Sequence, residues 1–261
     1  MKLRVKFTKH GAVRYIGHLD MQRYFQRVNR RAEIPVVYSG GFSPHQKMAF
    51  AMPLSVGCES DGEYFDVEVT DASSSDDIVN RMNKEMAEGI EVIDCVLLPE
   101  KCENAMASVR GADYSVTFKE GYEPAFDMKS AVSFFMDSDS YIIKKAVKNN
   151  KKKKNHVKQA SYNTKTMSGN GITAYDENSE YKEIDLRPLV HDISYDGSVL
   201  RMKVSAGSKD NVKPELLIGA LYEKAGMTLP PQSLKITREE LYTHDTDGIS
   251  LLTLLSVGER F

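Results

Sequence analysis

Two periodicities of apolar residues divide the first hundred residues into strands and helices. Residues 3–8 alternate apolar and basic side chains, with Leu3, Val5 and Phe7 on one side, which predicts a half-buried strand. Over residues 19–32, apolar side chains recur every three or four positions, which predicts an amphipathic helix. Further elements are expected as strands at residues 36–38, 48–53, 64–69 and 90–98, a turn at residues 59–62 and a helix at residues 75–88 capped by Ser74 or Ser75.

The predicted order β-α-β-β-α-β is typical of a ferredoxin-like sandwich, in which two helices cover one face of a four-stranded antiparallel sheet. The second half repeats this order without visible sequence identity to the first. Its expected elements are strands at residues 114–118, 141–147, 199–204 and 234–241, and helices at residues 125–135 and 214–225. We therefore expect an α+β protein of tandem ferredoxin-like sandwiches with antiparallel sheets.

These patterns divide the chain into three parts. The first module spans residues 1–100, and the second spans residues 110–245. The second module contains a polar, lysine-rich insert at residues 148–182, which is typical of a mobile hairpin extension or a disordered loop. Residues 246–261 form an apolar C-terminal tail, which either packs back on a sheet or docks on another chain.

Composition excludes several classes of protein. The 261 residues are 41% hydrophobic, which is ample for real cores, yet no stretch approaches the roughly 20 consecutive apolar residues of a membrane span. The N-terminus alternates charged and apolar residues where a signal peptide would be apolar, so we expect a cytoplasmic protein with no membrane contact. The three cysteines lack any tight ligand spacing, so we expect no metal site and no cofactor.

Charge is distributed unevenly along the chain. The net charge is −2, but the first fifty residues contain ten basic and two acidic residues. The predicted helix at residues 19–32 places its arginines on the side opposite its apolar stripe, and no acidic partners are evident for them. This distribution favours an anionic partner, and phosphate is the commonest.

A phosphate site is chemically reasonable near the turn that follows this helix. The amides of Gly40 and Gly41 can approach an anion closely, and Arg14 or Lys47 can supply positive charge. Tyr38 and Phe42 are candidates for stacking on bases, although the turn chemistry alone also explains this segment. The predicted nucleic-acid or phosphate ligands are Arg14, Arg23, Arg27, Arg30, Arg31, Tyr38, Gly40, Gly41, Phe42 and Lys47.

An enzymatic site is the alternative interpretation of the same region. His18, Asp20 and His45 could act as general acids or bases, together with Lys47, on a phosphorylated or nucleotide substrate. Their spacing fits no zinc motif. Asp20 is explained more simply as a carboxylate in the first turn of the helix.

Two strings of residues resemble a known family. The first joins R-Y-I-G-H-L-D at residues 14–20 to Y-S-x-G-F-x-P-H-x-K-x-x-F-A-x-P-L-x-V-G-x-E-S at residues 38–60, and the second is D-L-R-P-L at residues 185–189. They resemble the uncharacterised radical-SAM-associated proteins, which occur alone or fused behind a cobalamin-binding radical-SAM protein, often beside a gene for ribonuclease G. The resemblance implies a radical-SAM enzyme as partner, since the chain itself lacks the C-x-x-x-C-x-x-C cluster site.

Three functional hypotheses follow. The leading one is a non-catalytic RNA-binding or substrate-presenting accessory protein in tRNA or rRNA modification or processing. The second is an enzyme acting through His18, Asp20, His45 and Lys47, which requires those groups to share a pocket. The third is a protein-interaction module for a radical-SAM partner, completed by the C-terminal tail.

Overall fold

A computed structural model describes residues 1–146, 181–245 and 248–261, so the predicted lysine-rich insert at residues 148–182 lies almost wholly outside the described residues. The fold is mixed α/β, with one large, mostly antiparallel sheet and few helices. Its strands are β1 Lys2–Lys9, β2 Met48–Phe50, β3 Glu59–Glu68, β4 Ile90–Leu97, β5 Gly111–Phe118, β6 Ile142–Ala146, β7 Tyr181–Asp185, β8 Val190–Tyr195, β9 Val199–Ser205, β10 Leu234–His244 and β11 Leu251–Thr253. Its α-helices are α1 His18–Arg31, α2 Ser75–Asn83, α3 Ala105–Ser108, α4 Met128–Asp137 and α5 Pro214–Lys224.

The first half of the sheet has the spatial order β4-β1-β3-β2, with every neighbouring pair antiparallel. Helices α1 and α2 pack on these strands because their apolar stripes share one core with alternate residues of β1 and β3. Four rings meet at the centre of this core, with centroids 4.6–6.0 Å apart: Phe7, Phe25, Phe50 and Phe65. The Ser74 cap of α2 is confirmed, since its side chain accepts a hydrogen bond from the backbone N–H of Asp77.

The second half has the spatial order β10-β5-β9-β8, again antiparallel, with α4 and α5 packed against it. The prediction that residues 141–147 form a strand of this sheet was wrong. In the described part of the chain, β6 pairs with β7 in a separate two-stranded sheet, and β8 occupies the edge instead. Strand β8 was not predicted because a register shift after Val190 separates its two buried apolar residues, Val190 and Ile193, by three positions.

The sequence predicted a separate sheet for each half. Instead, the two halves form one continuous sheet, joined through β3 and β10. These strands run parallel and pair at two positions, Glu59 with Thr237 and Ser60 with Arg238. The Ser60 hydroxyl donates to the Arg238 carbonyl oxygen at 2.9 Å. Residues 59–62 are therefore part of a strand and not the turn that their polar composition predicts, because their polar groups are satisfied by β10.

A close approach of backbones consolidates this junction. A Cβ atom on Gly62 would lie 2.7 Å from the carbonyl oxygen of Glu239 and 2.7 Å from the Cα of Glu240. Beside it, the Glu240 carboxylate accepts hydrogen bonds from Lys6 at 2.7 Å and from the Tyr64 hydroxyl at 2.6 Å. The junction thus depends on glycine at position 62, which has no side chain to separate the strands, and on charge-assisted hydrogen bonds between them.

A buried ion pair fastens later parts of the chain to the first two long strands. Arg4 is fully buried and donates to both carboxylate oxygens of Asp66, at 2.8 and 3.1 Å. The same guanidinium donates to the carbonyl oxygens of Leu254 and Glu103, and Asp66 accepts from the backbone N–H of Ala105. The pair is well satisfied, which is the condition for tolerating buried charges.

The C-terminal segment follows the first of its two expected alternatives and packs back on the sheet. Strand β11 pairs with β10, and Leu254 is fully buried. Glu259 exchanges two backbone hydrogen bonds with Leu97, and the Phe261 carbonyl oxygen accepts from the N–H of Ser75. The end of the chain therefore contacts the first half.

The strand expected at residues 36–38 was wrong, since only isolated bridges form at Val36 and Tyr38. The other predicted boundaries differ modestly from those observed. Helix α1 begins one residue earlier than predicted, whereas α2 ends at Asn83, five residues early. The Asn83 side chain exchanges two hydrogen bonds with the backbone of Val92, which ends α2 against β4. Helix α3 and strand β11 were not predicted, since each is only three or four residues long. Within the described residues, no helix has the length and apolar character needed to cross a membrane.

We expect Gly62→Ala to destabilise the protein by about 1–3 kcal/mol, because the added methyl group must push β10 away from β3. The measurement is the free energy of unfolding in urea. Gly40→Ala is the matched control, since a Cβ there would meet nothing within 4 Å. Equal stability of the two variants would contradict the proposed importance of the close approach.

Candidate functional site

Helix α1 presents arginines opposite its buried stripe. Arg27 and Arg30 are exposed and form no ion pair with any described residue. Arg23 pairs with Asp20 at 3.2 Å, but both side chains are 68% exposed, so the pair is weak and easily exchanged for another anion. We call Arg23, Arg27 and Arg30 the arginine surface.

Arg31 does not belong to this surface. Its Nε donates to the Glu85 carboxylate at 2.8 Å, and its Nη2 donates to the Glu85 carbonyl oxygen at 2.9 Å. The expectation that the helix arginines have no acidic partners was therefore wrong for Arg31, and also for Arg23 through its weak pair with Asp20. The partner is 54 positions away and follows α2, so only the tertiary fold brings it near.

Residues 38–46 form a loop, here called the aromatic loop, that is hydrogen-bonded to α1. Gln46 donates to the backbone carbonyl oxygen of Gln26 at 3.0 Å and accepts from the side-chain amide of Asn29 at 3.0 Å. Both Asn29 and Gln46 are buried, so these hydrogen bonds are shielded from water. The base of the loop is thereby fixed on the middle of the helix.

The two aromatic side chains of this loop face solvent. Tyr38 is 51% exposed, and Phe42 is fully exposed. Arg23 and Arg30 are three and four residues from Gln26, the anchor of the loop, and such residues are neighbours on a helix surface. The aromatic loop is therefore anchored on the same helix that bears the arginine surface.

The predicted phosphate ligands Gly40, Gly41 and Lys47 do not converge. Gly40 and Gly41 are exposed in the aromatic loop, and Gly41 has a φ of +97°, which only glycine adopts readily. Lys47 instead forms an ion pair with Glu68 at 2.8 Å, with both side chains partly exposed. The lysine ammonium is therefore directed to β3 and away from the loop glycines.

Arg14 stabilises the corner between the two parts of the first sequence string. Its guanidinium donates to Glu59 at 3.1 Å and stacks on the Tyr15 ring at 5.0 Å. Its carbonyl oxygen accepts from the N–H of Gly57, whose φ is +92°. Residues from both parts of the string thus make direct contacts, which gives Arg14 a structural role beside its predicted one.

The three candidate catalytic residues are not brought together. Asp20 pairs with Arg23, the His45 ring hydrogen-bonds to Ser39, and the His18 ring contacts Phe50 edge-on. Among the described contacts, no hydrogen bond or ion pair joins any two of the candidates. The described residues also contain no group of three or more His, Cys, Asp or Glu side chains that could hold a metal ion.

Comparison with known proteins identifies a family. A family of uncharacterised proteins conserved in bacteria, DUF2344, matches residues 2–214, which include both sequence strings and most of the sheet. The chain belongs to DUF2344. No curated protein matches the chain significantly.

This DUF2344 chain also contains a buried group of charges that sequence reasoning missed. Arg238 is fully buried and donates to the Glu63 carboxylate, with its Nε at 2.9 Å. Lys9 is also buried, and its ammonium donates to the carbonyl oxygens of Arg14 and Ile16. Burial lowers the pKa of Lys9, and the Glu63 carboxylate opposes that shift. The one available signal was that Arg238 is two positions from buried Ile236, which puts both on one face of the strand.

Two cysteines of the DUF2344 chain are expected to resist alkylation. Burial raises the pKa of Cys58 to about 11 and that of Cys95 to about 12, so both stay protonated at pH 8, and the thiolate is the reactive form. Iodoacetamide should therefore modify Cys102, which is partly exposed, before either of them. Mass spectrometry of peptides over time checks this order, with urea-unfolded protein as control. Early labelling of Cys58 would contradict the burial described here.

Proposed function

We propose that the protein is a non-catalytic RNA-binding or substrate-presenting accessory protein that acts in tRNA or rRNA modification or processing. The observation that supports this most is a fully exposed ring, Phe42, in a loop whose base is hydrogen-bonded to α1, the helix that bears the arginine surface. A partner that covers this ring would gain the free energy of burying its apolar surface.

Single-stranded RNA is the partner that fits this chemistry. Unstacked bases stack on aromatic side chains in a sequence-tolerant way, and Tyr38 and Phe42 offer two exposed rings. Arg27 and Arg30 form no ion pair with any described residue. They can therefore bind phosphates without first breaking an existing pair. The weak Arg23–Asp20 pair adds a third exchangeable cation.

We also propose that the chain is a tandem of two ferredoxin-like units joined edge to edge. The spatial order is β4-β1-β3-β2 in the first half and β10-β5-β9-β8 in the second. If the four strands of each half are numbered 1 to 4 along the chain, both orders are 4-1-3-2. In each half, one helix lies between the first and second of these strands, and another lies between the third and fourth. In this interpretation, β6 and β7 extend the connection before the second strand of the second unit.

The partner that we propose for presentation of the RNA is a radical-SAM enzyme, on the basis of the family resemblance. Exposed apolar residues near the start of α1 offer a second surface for such a contact, in particular Tyr15, Leu19 and Val56. All three cysteines are unpaired thiols, which suits a reducing compartment, and we propose the cytoplasm as the site of action.

A pure protein-interaction module is the second candidate, and the exposed Leu19 and Val56 favour it. It does not require the arginine surface. The apolar C-terminal segment adds little to such an interface, because Leu254 is already buried within this chain. The enzymatic alternative has less support, since His18, Asp20 and His45 have separate partners.

We expect the triple variant Arg23→Ala, Arg27→Ala, Arg30→Ala to lose salt-dependent binding of RNA. The negative slope of log K against log salt concentration should become smaller in magnitude by about 2, because each of three lost phosphate contacts on single-stranded RNA contributes ~0.7 to it. Fluorescence anisotropy with the labelled small-RNA fraction at several salt concentrations measures this slope. The matched control is Lys129→Ala, Lys209→Ala, Lys235→Ala, which removes equal charge from exposed positions in the second half that form no ion pair with any described residue. If the control lost as much salt-dependent RNA binding, the effect would come from overall charge, which would contradict binding at the arginine surface.

We expect Phe42→Ala to weaken RNA binding by ~1–3 kcal/mol with little change in the salt slope, because it removes base stacking and no charge. Its stability should not fall, since the ring contacts solvent. Tyr122→Ala, which removes an exposed ring from the second half, is the control in the same anisotropy assay. Unchanged affinity of Phe42→Ala would argue against RNA stacking and favour the protein-interaction module.

A further inference from the structure

A cavity of about 390 Å³ lies where the two halves of the sheet meet. Residues 51–55 and Cys58, which follow β2, form one side, and residues between 207 and 215, which lead into α5, form another. Tyr114, Ile236 and Arg238 of the sheet also line it. Its volume is within the range of small-molecule sites, and it is separate from the arginine surface and the aromatic loop.

The cavity contains an incompletely satisfied cation. Arg238 uses Nε and Nη2 on Glu63 and on the carbonyl oxygen of Met52. Its Nη1 is buried and has no hydrogen bond of normal geometry to any described residue, although Tyr114 lies close enough to interact with the guanidinium. A buried charged donor without an acceptor is costly, so this nitrogen is a position where an acceptor would be stabilising.

The charges around Arg238 favour an anion as well as an acceptor. Arg238 and Lys9 are both buried, and the buried Glu63 carboxylate interacts with both, so the three groups leave one excess positive charge while Lys9 is protonated. Lys9 lies beside this cavity, in a smaller recess that shares residues 52–54 with it. On the cavity wall, Lys213 and Glu215 offset each other. A water molecule could satisfy Nη1 but could not neutralise this excess. The N-terminus of α5, which has no side-chain cap, adds positive partial charge at the same cavity.

The magnitude of the excess selects the class of anion. A carboxylate has one negative charge and matches it, whereas a phosphate monoester has about 1.5–2 negative charges at neutral pH and would leave negative charge buried. The remaining lining is largely apolar, with Met52, Leu54, Met106 and Ile236 among its members. A ligand therefore needs an apolar body attached to its charged group.

We propose that this cavity is a binding site for a small carboxylate with an apolar body, whose carboxylate pairs with Arg238 and whose body packs on the methionine and leucine side chains. The site is independent of RNA binding. It makes the junction between the two halves a ligand-responsive part of the fold.

The test uses the whole 261-residue chain labelled with ¹³C at methionine methyl groups. Hexanoate is the probe, hexanamide is its uncharged counterpart, and hexyl phosphate is the dianionic counterpart, each titrated into the millimolar range. Met52 and Met106 report on the cavity, and Met82, buried in the core of the first half, is the internal control. We expect hexanoate to shift the Met52 and Met106 signals and to bind at least ~10-fold more tightly than hexanamide, as a charge-assisted hydrogen bond predicts.

Two variants distinguish the cavity from other binding positions. Met106→Trp fills a half-exposed position of the lining and should abolish the hexanoate shift at Met52 without loss of folding. Met227→Trp, at a partly exposed position outside the lining, should leave that shift intact. No shift at Met52 and Met106, equal binding of hexanoate and hexanamide, or tighter binding of hexyl phosphate would each overturn the proposal.

Discussion

The contact between Arg238 and Glu63 is the interaction on which the architecture depends. Strands β3 and β10 pair at only two positions, so the backbone alone provides a weak connection between the halves. The buried guanidinium adds a charge-assisted contact to β3 and a hydrogen bond to the segment after β2. Because an unpaired charge at this depth would be very unfavourable, the two halves are held in one relative arrangement. Arg238 also lines the cavity at this junction.

The sequence predicted the elements whose signals are local. The helical spacing of the arginines and apolar residues predicted α1 directly. Ser74 marked the start of α2, and Pro214 is typical of the first turn of a helix such as α5. Local signals did not reveal the pairing of β10 with β3. Ser60 and Gly62 have turn composition, and they are tolerated in a strand because a neighbouring strand from 178 positions away satisfies and crowds them. Such tertiary causes leave no periodicity in the sequence.

The candidate site was predictable to a similar degree. Exposure of Phe42 and of the helix arginines follows from turn composition and helical spacing. The pairing of Arg31 with Glu85, of Lys47 with Glu68 and of Arg14 with Glu59 does not, because each acid comes from another part of the chain. Surplus charge in a stretch of sequence thus overstates the charge that remains available on the surface. The buried cations were missed for the opposite reason, since charged residues within strands are ordinarily expected to face water.

The long separation between β3 and β10 has a consequence for the order of folding during synthesis. The ribosome completes the first four strands well before β10, so the nascent first half exposes the side of β3 that β10 will cover. Until residues 238–254 emerge, Glu63 has no guanidinium partner and Arg4 lacks its acceptor at Leu254. Contacts of such high sequence separation form slowly. The half-made protein is therefore the form most exposed to mispairing, and a chaperone that shields this edge would act before the chain leaves the ribosome.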